Sequence, residues 1–228
     1  MFAYPTDAEA RAQLLEFGRR MYEQGFVAAN DGNLSCRVAG DAVWATPTGV
    51  SKGYMKEETL VKLSLGGEVL YQEAREPSSE IRMHLRAYRE NPMIGGVVHA
   101  HPPAATAFAI AGEGLDKPVY PEAMVLLGTV PCTPFATPGT QDVAESIAPY
   151  CRGNGYTALL LGNHGALAWG ATLEQAWFRL EALEHYADIL QRLGLGPKAP
   201  SYLTAKQMEA VGRIRASFGL SPDTLPKA

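Results

Sequence analysis

The 228-residue chain is predicted to form one α/β domain, with a central, mainly antiparallel β-sheet flanked by helices on both faces. Amphipathic helical stretches alternate with short apolar strands, and tight glycine-containing turns join several of these strands in pairs. The chain lacks the G-x-G-x-x-G sequence that is typical of parallel dinucleotide-binding sheets. Because no stretch rich in proline, glycine and serine divides the chain, a single domain spanning residues 1–228 is expected.

The helices are identified by apolar residues that recur every three to four positions, and by residues suited to helix ends. Asp7 is the predicted N-cap of the first helix, and Ser78 or Ser79 is the predicted N-cap of the second. The predicted helices cover residues 8–24, 79–90, 104–111, 140–150, 172–193 and 204–218.

The strands are short runs of apolar residues bounded by turn-forming residues. A turn at residues 39–41 joins the first two strands, and Gly66-Gly67 is predicted to join a second pair. The predicted strands cover residues 33–38, 42–45, 61–65, 69–71, 95–101 and 157–161.

Composition and charge argue against several classes of partner. The 20 Lys and Arg are scattered and the formal net charge is −4, which argues against nucleic acid as a partner. The apolar runs are too short to cross a bilayer and the N-terminus lacks a signal region, which argues against a membrane. Cys36, Cys132 and Cys151 are odd in number and widely spaced, so free thiols in a cytoplasmic protein are expected.

Two histidines end a buried strand within the segment Gly-Gly-Val-Val-His-Ala-His at residues 95–101. Side chains on a strand alternate between faces, so His99 and His101 point the same way and Ala100 points the other way. Two neutral imidazoles on one face suit a borderline divalent metal, chiefly zinc. The alternative is a pair of hydrogen-bonded core histidines.

A third histidine favours the metal interpretation. His164 follows an apolar strand within Gly162-Asn163-His164-Gly165, where the flanking glycines predict a tight turn that presents the imidazole. Three histidines leave a coordination position open, which is typical of catalytic zinc sites. His84 and His185 lie within amphipathic helical stretches and are interpreted as structural.

Three loops rich in small polar residues predict a phosphate site. They cover residues 30–35, 46–51 and 77–80, and the last of them opens a helix. Hydroxyl and amide groups beside glycine let backbone N–H groups converge on an anion, and a helix N-terminus adds its positive dipole end. The alternative for each loop taken alone is an ordinary turn.

Glu80 determines which chemistry such a site could perform. At the start of a helix, a glutamate often stabilises the helix dipole or belongs to a capping box. If Glu80 faces the metal instead, it can act as a general base on a carbon acid whose enolate oxygen the metal stabilises. A hydroxyketone phosphate would use the metal, the polar loops and Glu80 together.

The order of these motifs resembles the class II aldolase/adducin family over residues 11–193, and most closely its L-fuculose-1-phosphate aldolase branch. The five motifs are Gly32-Asn33-Leu34-Ser35, Thr46-Pro47-Thr48-Gly49, Pro77-Ser78-Ser79-Glu80, His99-Ala100-His101 and Asn163-His164-Gly165. The resemblance implies a three-layer fold with a sheet of about nine strands, in a homotetramer of C4 symmetry with active sites at subunit interfaces.

The same resemblance implies a set of site residues. Zinc would bind His99, His101 and His164, with Glu80 as a further ligand that moves away to act as the base. Another divalent metal, such as Mn²⁺ or Co²⁺, is an alternative to zinc. The phosphate of a sugar phosphate would be held by Asn33, Thr48, Gly49, Ser78 and Ser79.

The expected activity is a reversible aldol cleavage of a ketose 1-phosphate to dihydroxyacetone phosphate and a short aldehyde. Related sugar-phosphate 4-epimerases usually carry aspartate at the position of Glu80, which favours the aldolase. Fuculose-phosphate aldolase, however, uses a tyrosine as proton donor to the aldehyde oxygen, where this chain has Glu122. Tyr120, through a shifted loop, and Glu122 itself are both candidates for that donor, and Tyr202 in the tail is a candidate second tyrosine.

Several other functions remain as alternatives. An epimerase, a decarboxylase or a dehydratase of the same family would act on a related sugar phosphate. A non-catalytic, adducin-like interaction module is disfavoured, because all three metal-binding histidines are present. A plain metal-dependent hydrolase would leave the polar loops and Glu80 without a role.

Overall fold

The computed structural model describes residues 4–39, 41–153, 155–194 and 200–226, and within these ranges eight strands form one sheet. Their order across the sheet is β4-β3-β2-β1-β5-β8-β7-β6, and every neighbouring pair is antiparallel except β6 and β7. The strands are β1 Asn33–Val38, β2 Ala42–Ala45, β3 Val61–Ser64, β4 Val69–Tyr71, β5 Gly96–Ala100, β6 Cys132–Thr133, β7 Ala158–Leu161 and β8 Gly165–Gly170. The predicted mainly antiparallel sheet is confirmed, although the resemblance implied about nine strands.

Seven helices lie in the described ranges, and they cover both faces of the sheet. One face packs against α1, α3, α4, α6 and α7, and the other packs against α2 and α5. The helices are α1 Asp7–Glu23, α2 Ile81–Glu90, α3 Pro103–Ala111, α4 Pro121–Leu126, α5 Gln141–Cys151, α6 Leu173–Gly194 and α7 Ala205–Ser217. The predicted three-layer arrangement is therefore confirmed.

Strand alternation decides which side chains meet near the site. In β5, Val98 belongs to the core under α1 and α6, whereas Val97 belongs to the core under α2 and α5. His99 lies two residues after Val97 and therefore points to the same face of the sheet. The residue opposite His99 on the neighbouring strand β1 is Asn33. The two polar side chains therefore lie side by side at one end of the two central strands, on the face that α2 covers.

Two predicted helix caps are wrong. Thr6, not Asp7, caps α1, because Thr6 and Glu9 form a reciprocal capping box while the Asp7 carboxylate accepts hydrogen bonds from Trp44 and Lys62. At α2 the N-cap position belongs to Glu80 rather than to Ser78 or Ser79, and its side chain makes no capping hydrogen bond.

Among the α-helices and strands of the described residues, three were not predicted: the short helix α4, the two-residue strand β6 and the strand β8. Of the predicted turn at residues 39–41, Gly40 lies outside the described residues. The three cysteines carry free thiols, as expected. No helix within the described part of the chain combines the length and the apolar character needed to span a membrane.

Candidate metal and substrate site

His99 and His101 reach the site from the end of β5. The strand ends at Ala100, His101 follows immediately, and Pro103 begins α3. The period of two places both rings on the same side, with ring centroids 4.9 Å apart and the two Nε2 atoms 3.1 Å apart.

His164 reaches the same point from the turn between β7 and β8. Asn163 adopts the left-handed conformation with φ of 57°, and a Cβ at Gly165 would lie only 2.6 Å from the carbonyl oxygen of Ala100. Glycine at 165 therefore lets the turn pack against the end of β5. The His164 ring centroid lies 4.7 Å from that of His99 and 5.0 Å from that of His101. One ring nitrogen of each histidine lies within 4.8 Å of the other two.

Hydrogen bonding and burial keep the imidazoles available as ligands. The Nδ1–H of His99 donates to the carbonyl oxygen of Ala166 at 2.9 Å, which directs the Nε2 lone pair toward the cluster. Burial, and then the neighbouring His164 and His101, lower the pKa of His99 well below its ordinary value. Burial also lowers the pKa of His164. Both rings are therefore neutral at pH 7, the form in which a histidine binds a metal.

Glu80 lies between the cluster and β1. Its Oε2 accepts a hydrogen bond from Asn33 Nδ2 at 2.8 Å and lies 3.4 Å from His99 Nε2, while Oε1 lies 3.2 Å from His164 Nε2. Glu80 Oε1 and His164 Nδ1 are both buried and lack a hydrogen-bond partner. Unpartnered polar atoms of this kind are rare in a folded protein and are typical of a site that accommodates a further group.

Asp31 is a second carboxylate at the cluster, and it was not among the site residues predicted from the sequence. Its Oδ2 lies 3.5 Å from His101 Nδ1, on the side of the ring away from His99. A carboxylate in that position orients a ligating imidazole and fixes its tautomer. The signal in the sequence was its place in the polar loop at residues 30–35, two positions before Asn33.

The three polar loops are joined to one another around Glu80. Thr46 links the first two loops, because its Oγ1 accepts from the backbone N–H of Leu34 at 3.1 Å. The second and third loops meet through a bridge between Pro47 and Pro77. The N–H of Thr48 donates to the carbonyl oxygen of Glu76 at 2.9 Å.

The predicted phosphate-binding residues are distributed over this group of loops. Asn33 is buried and bonded to Glu80, Ser78 is buried, and Ser79 is exposed. Thr48 and Gly49 are exposed at the tip of the second loop, where Gly49 has a φ of +68° that glycine adopts without strain. The loops thus place exposed hydroxyl and amide groups next to a largely buried carboxylate and three imidazoles.

The predicted proton donors lie elsewhere in the chain. Tyr120 occupies the N-cap position of α4 and packs edge-on against His185 with ring centroids 5.9 Å apart, and Glu122 is exposed in the first turn of α4. Tyr202 is also exposed. Within the described residues, no hydrogen bond, ion pair or ring contact joins any of these three candidates to the histidine cluster, so their roles stay predictions.

His84 occupies a different environment from the cluster. It is fully buried on α2, and its Nδ1 lies 2.8 Å from Ser35 Oγ. Burial lowers the pKa of His84 to about 3. This histidine is a neutral, hydrogen-bonded member of the core, as the sequence analysis interpreted it.

Comparisons with known proteins agree with this arrangement. Residues 12–191 match the family described as Class II Aldolase and Adducin N-terminal domain. A 3-oxo-tetronate 4-phosphate decarboxylase from Pectobacterium atrosepticum is 34% identical over 88% of this chain and 91% of that protein. An L-fuculose phosphate aldolase from Methanococcus vannielii is 31% identical over 74% of this chain and 88% of that protein.

Among solved structures, L-fuculose-1-phosphate aldolase from Thermus thermophilus is 31% identical and superposes with a TM-score of 0.72. That comparison covers 84% of this chain and 99% of the other. The residues that match the family model contain all five motifs on which the resemblance was based. The chain therefore belongs to the class II aldolase and adducin family.

Proposed function

We propose that the protein is a metal-dependent lyase that decarboxylates a phosphorylated 3-oxo sugar acid. The observation that carries this proposal is the position of Glu80, a largely buried carboxylate with one unpartnered oxygen, beside three clustered imidazoles. Such a cluster can hold a cation, and the carboxylate can move a proton at the same place.

The residues present fit a divalent cation. His99, His101 and His164 offer nitrogen ligands within 4.8 Å of one another, and the free oxygen of Glu80 is suited to a fourth ligand position. Imidazole ligands favour zinc, with Mn²⁺ or Co²⁺ as alternatives. A divalent ion held there would supply an electron sink for the negative charge that develops on a ketone oxygen when the adjacent C–C bond breaks.

In a 3-oxo-tetronate 4-phosphate, the ketone is two carbons from the carboxylate and the phosphate lies at the other end. Decarboxylation breaks the bond between C1 and C2, releases CO₂ and leaves the electron pair at C2, which then takes up a proton. Glu80 would take up a proton from solvent and deliver it to C2, while Asn33 fixes the orientation of the Glu80 side chain through its 2.8 Å hydrogen bond. The product is a three-carbon hydroxyketone phosphate.

The positions of the predicted proton donors favour decarboxylation over aldol cleavage. Asp31, the second carboxylate at the cluster, faces the Nδ1 atom of His101. Aldol cleavage needs a second group, besides Glu80, that exchanges a proton with the oxygen of the departing aldehyde. Neither Tyr120 nor Glu122 contacts the cluster within the described part of the chain. Loss of CO₂ needs no such group. The decarboxylase relative from Pectobacterium atrosepticum is also 34% identical to this chain.

Aldol cleavage of a ketose 1-phosphate is the second candidate function. It is supported by the L-fuculose phosphate aldolase of Methanococcus vannielii, which is 31% identical. In that case the second acid–base group would come from α4 of a neighbouring subunit, in the homotetramer that the resemblance implies. Glu122 is exposed on α4 and is therefore free to enter such an interface.

The two functions are distinguished by their substrates and by CO₂, because both release dihydroxyacetone phosphate and only the decarboxylation also releases CO₂. The purified protein would be incubated with 3-oxo-tetronate 4-phosphate carrying ¹³C at C1, and separately with L-fuculose 1-phosphate. Enzyme-dependent release of ¹³CO₂ above the spontaneous rate is expected, measured against the Glu80→Gln variant. Release of dihydroxyacetone phosphate from fuculose 1-phosphate, without accelerated CO₂ release from the oxo acid, would establish the aldolase instead.

A further inference from the structure

Lys52 is a buried cation that neither proposed reaction uses. It begins the short 3-10 turn Lys52–Tyr54, directly after the polar loop at residues 46–51, and it is only 1% exposed. Lysine is almost never buried this completely unless a structure supplies partners for its charge. The partners of Lys52 therefore indicate why it is there.

Two loops share the Lys52 ammonium group. Lys52 Nζ donates hydrogen bonds to the backbone carbonyl oxygens of Asn30, at 2.9 Å, and Val50, at 2.8 Å. Asn30 belongs to the loop at residues 30–35, which carries Asp31 and Asn33, and Val50 belongs to the loop at residues 46–51. One side chain thus cross-links two of the three loops that are proposed to bind the phosphate.

The ammonium is not neutralised by an ion pair. No carboxylate of the described residues lies within ion-pair distance of Lys52 Nζ, and an ammonium has three protons, of which two are used. The three polar loops themselves contain no Lys or Arg. Lys52 therefore adds a positive charge behind loops whose own hydrogen-bond donors are neutral, and the carboxylates of Asp31 and Glu80 act on that charge only from beyond ion-pair distance.

The nearby charges favour the protonated form of Lys52. Burial lowers the pKa of Lys52 to about 8, while the carboxylates of Asp31 and Glu80 oppose that decrease. The Lys52 charge in turn contributes to lowering the pKa of His99. At pH 7 the group is mainly charged, and above about pH 8 it loses its proton.

We propose that Lys52 is a positioning residue for anionic substrates, which cross-links the loops at residues 30–35 and 46–51 and adds the positive charge that a phosphate dianion requires. The proposal rests on the proposed function, with the substrate phosphate held at the three polar loops as predicted from the sequence, but it does not depend on which bond the enzyme breaks. A dianion bound by these loops would gain both from their fixed geometry and from the buried charge.

The test uses Lys52→Met, which keeps the length of the side chain and removes its donors, with Lys56→Met as the matched control. Lys56 is exposed and lies four residues along the chain. The probe is inorganic sulfate, which stays a dianion between pH 6 and 9 and binds without turnover. Three quantities are measured in the metal-loaded protein: the sulfate Kd by calorimetry, the bound metal, and amide hydrogen exchange in the two loops.

We expect Lys52→Met to weaken sulfate binding by roughly tenfold or more, since a charge-assisted contact is lost. Exchange should become faster in residues 30–35 and 46–51 while the bound metal stays unchanged, and Lys56→Met should leave all three quantities unchanged. In the wild type, sulfate affinity should decrease above about pH 8, and this decrease should be absent from Lys52→Met. A merely structural role would not produce that difference in pH dependence.

Equal sulfate affinities in the wild type and Lys52→Met, or the same pH dependence in both proteins, would overturn the proposal. If Lys52→Met does not fold, the wild type alone decides, because a sulfate affinity that is constant between pH 7 and 9 also excludes the role. Failure of the decarboxylation assay leaves these binding measurements interpretable, so the two proposals can fail separately.

Discussion

At the scale of single residues, Glu80 illustrates how the surroundings of a side chain determine its role. A glutamate at the N-cap of α2 would ordinarily interact with the helix end, yet its side chain makes no capping bond and instead meets Asn33, His99 and His164. The helix supplies a fixed backbone position, and the neighbouring strands supply the partners. This arrangement suits a carboxylate that moves protons at a fixed point in space.

The first prediction concerns Glu80→Gln. The amide keeps the size of the side chain and its contact with Asn33 but cannot exchange protons, so kcat should fall by roughly 10²–10⁴-fold. Metal content and sulfate affinity should change little, because the three histidines, the hydroxyl groups of the polar loops and a side-chain oxygen at position 80 all remain. Steady-state kinetics together with metal analysis checks this, and turnover at the wild-type level would show that Glu80 is only a helix-end residue.

The second prediction separates the clustered histidines from the others. His164→Ala should lose most of the bound divalent metal and the activity with it, because removal of one of three imidazoles breaks the ligand set. His185 is exposed on α6, and His185→Ala should retain both the bound metal and the activity. The measurements are metal content after dialysis and circular dichroism. If His164→Ala retained the metal, the three-histidine site would be wrong.

The third prediction concerns the hydroxyl groups of the polar loops. Thr48→Val and Ser79→Ala each remove one donor to the phosphate, and each should cost on the order of 1.5–3 kcal/mol in kcat/KM on a phosphorylated substrate. The penalty should shrink for the same substrate without its phosphate, because the missing donor then has no partner. Equal penalties on both substrates would mean that these loops are ordinary turns.

At the scale of elements, the site depends on three strands that are neighbours in the sheet and distant in the chain. β1 brings Asn33, β5 brings His99 and, directly after its end, His101, and the turn into β8 brings His164. Because β5 pairs with both of the others, an error of one residue in either register would turn His99 to the opposite face. The buried apolar pattern of the central strands therefore also fixes the geometry of the site.

The sequence predicted the elements with strong periodicity and missed those without it. Residues 33–38 and 172–193 were identified nearly to the residue, because bounding turn residues and a long helical apolar pattern are local signals. Strand β8 was missed because Gly165 and Gly170 bound it, and glycine weakens the strand signal. A Cβ at Gly170 would lie 2.7 Å from the Cβ of Gln175, so the end of β8 requires glycine in order to pack against α6. The sequence alone does not show this contact.

The site was predictable to the extent that its residues form short motifs. All three histidines and Glu80 were named from their neighbours in the chain, and the structure brings them together. Lys52 and Asp31 were missed, because their partners lie in other loops or belong to the backbone. A backbone carbonyl carries no sequence signal, so a lysine that binds two carbonyls has the same appearance in the sequence as a surface lysine.

The fourth prediction concerns the attachment of α7. Arg215 is fully buried and donates to the carbonyl oxygens of Val125, Gly155 and Ser221 and to the hydroxyl of Thr224. Arg215→Met should lower the free energy of unfolding by about 3 kcal/mol or more, because several buried carbonyls lose a charged donor.

The control for this prediction is Arg213→Met on the exposed face of the same helix. Arg213 forms only a surface ion pair with Glu209, so its loss should change stability by about 0.5 kcal/mol at most. Urea unfolding measures both variants. Similar midpoints for the two would mean that Arg215 does not hold α7 and the end of α4 together.

At the scale of the whole molecule, buried histidines couple stability to pH. His84 and His99 are fully buried and their pKa values are lowered, that of His84 to about 3. In the unfolded chain each takes up a proton below about pH 6.5. Between about pH 6.5 and the lowered pKa of each histidine in the folded protein, the unfolded state therefore binds more protons than the folded state. The free energy of unfolding falls as the pH falls through this window.

The fifth prediction puts a magnitude on this coupling. Each such histidine should lower the unfolding free energy by about 1.4 kcal/mol per pH unit below about pH 6. In the metal-free protein, His84→Asn should reduce the slope of stability against pH by the contribution of one histidine. Urea unfolding between pH 8 and 5 measures both slopes. Identical slopes would mean that His84 takes up a proton in the folded protein.

The strand order has a consequence for how the molecule folds. The hairpins β1–β2 and β3–β4 close within short stretches of chain, whereas β5 must find β1 and β8 across long intervening segments. Contacts between segments so far apart in sequence form slowly, on a timescale of roughly milliseconds to seconds. The three histidines come together only after the β5–β8 ladder has closed. The absorbance of bound Co²⁺ should therefore rise late in refolding, after the hairpins, and would report when that long-range ladder forms.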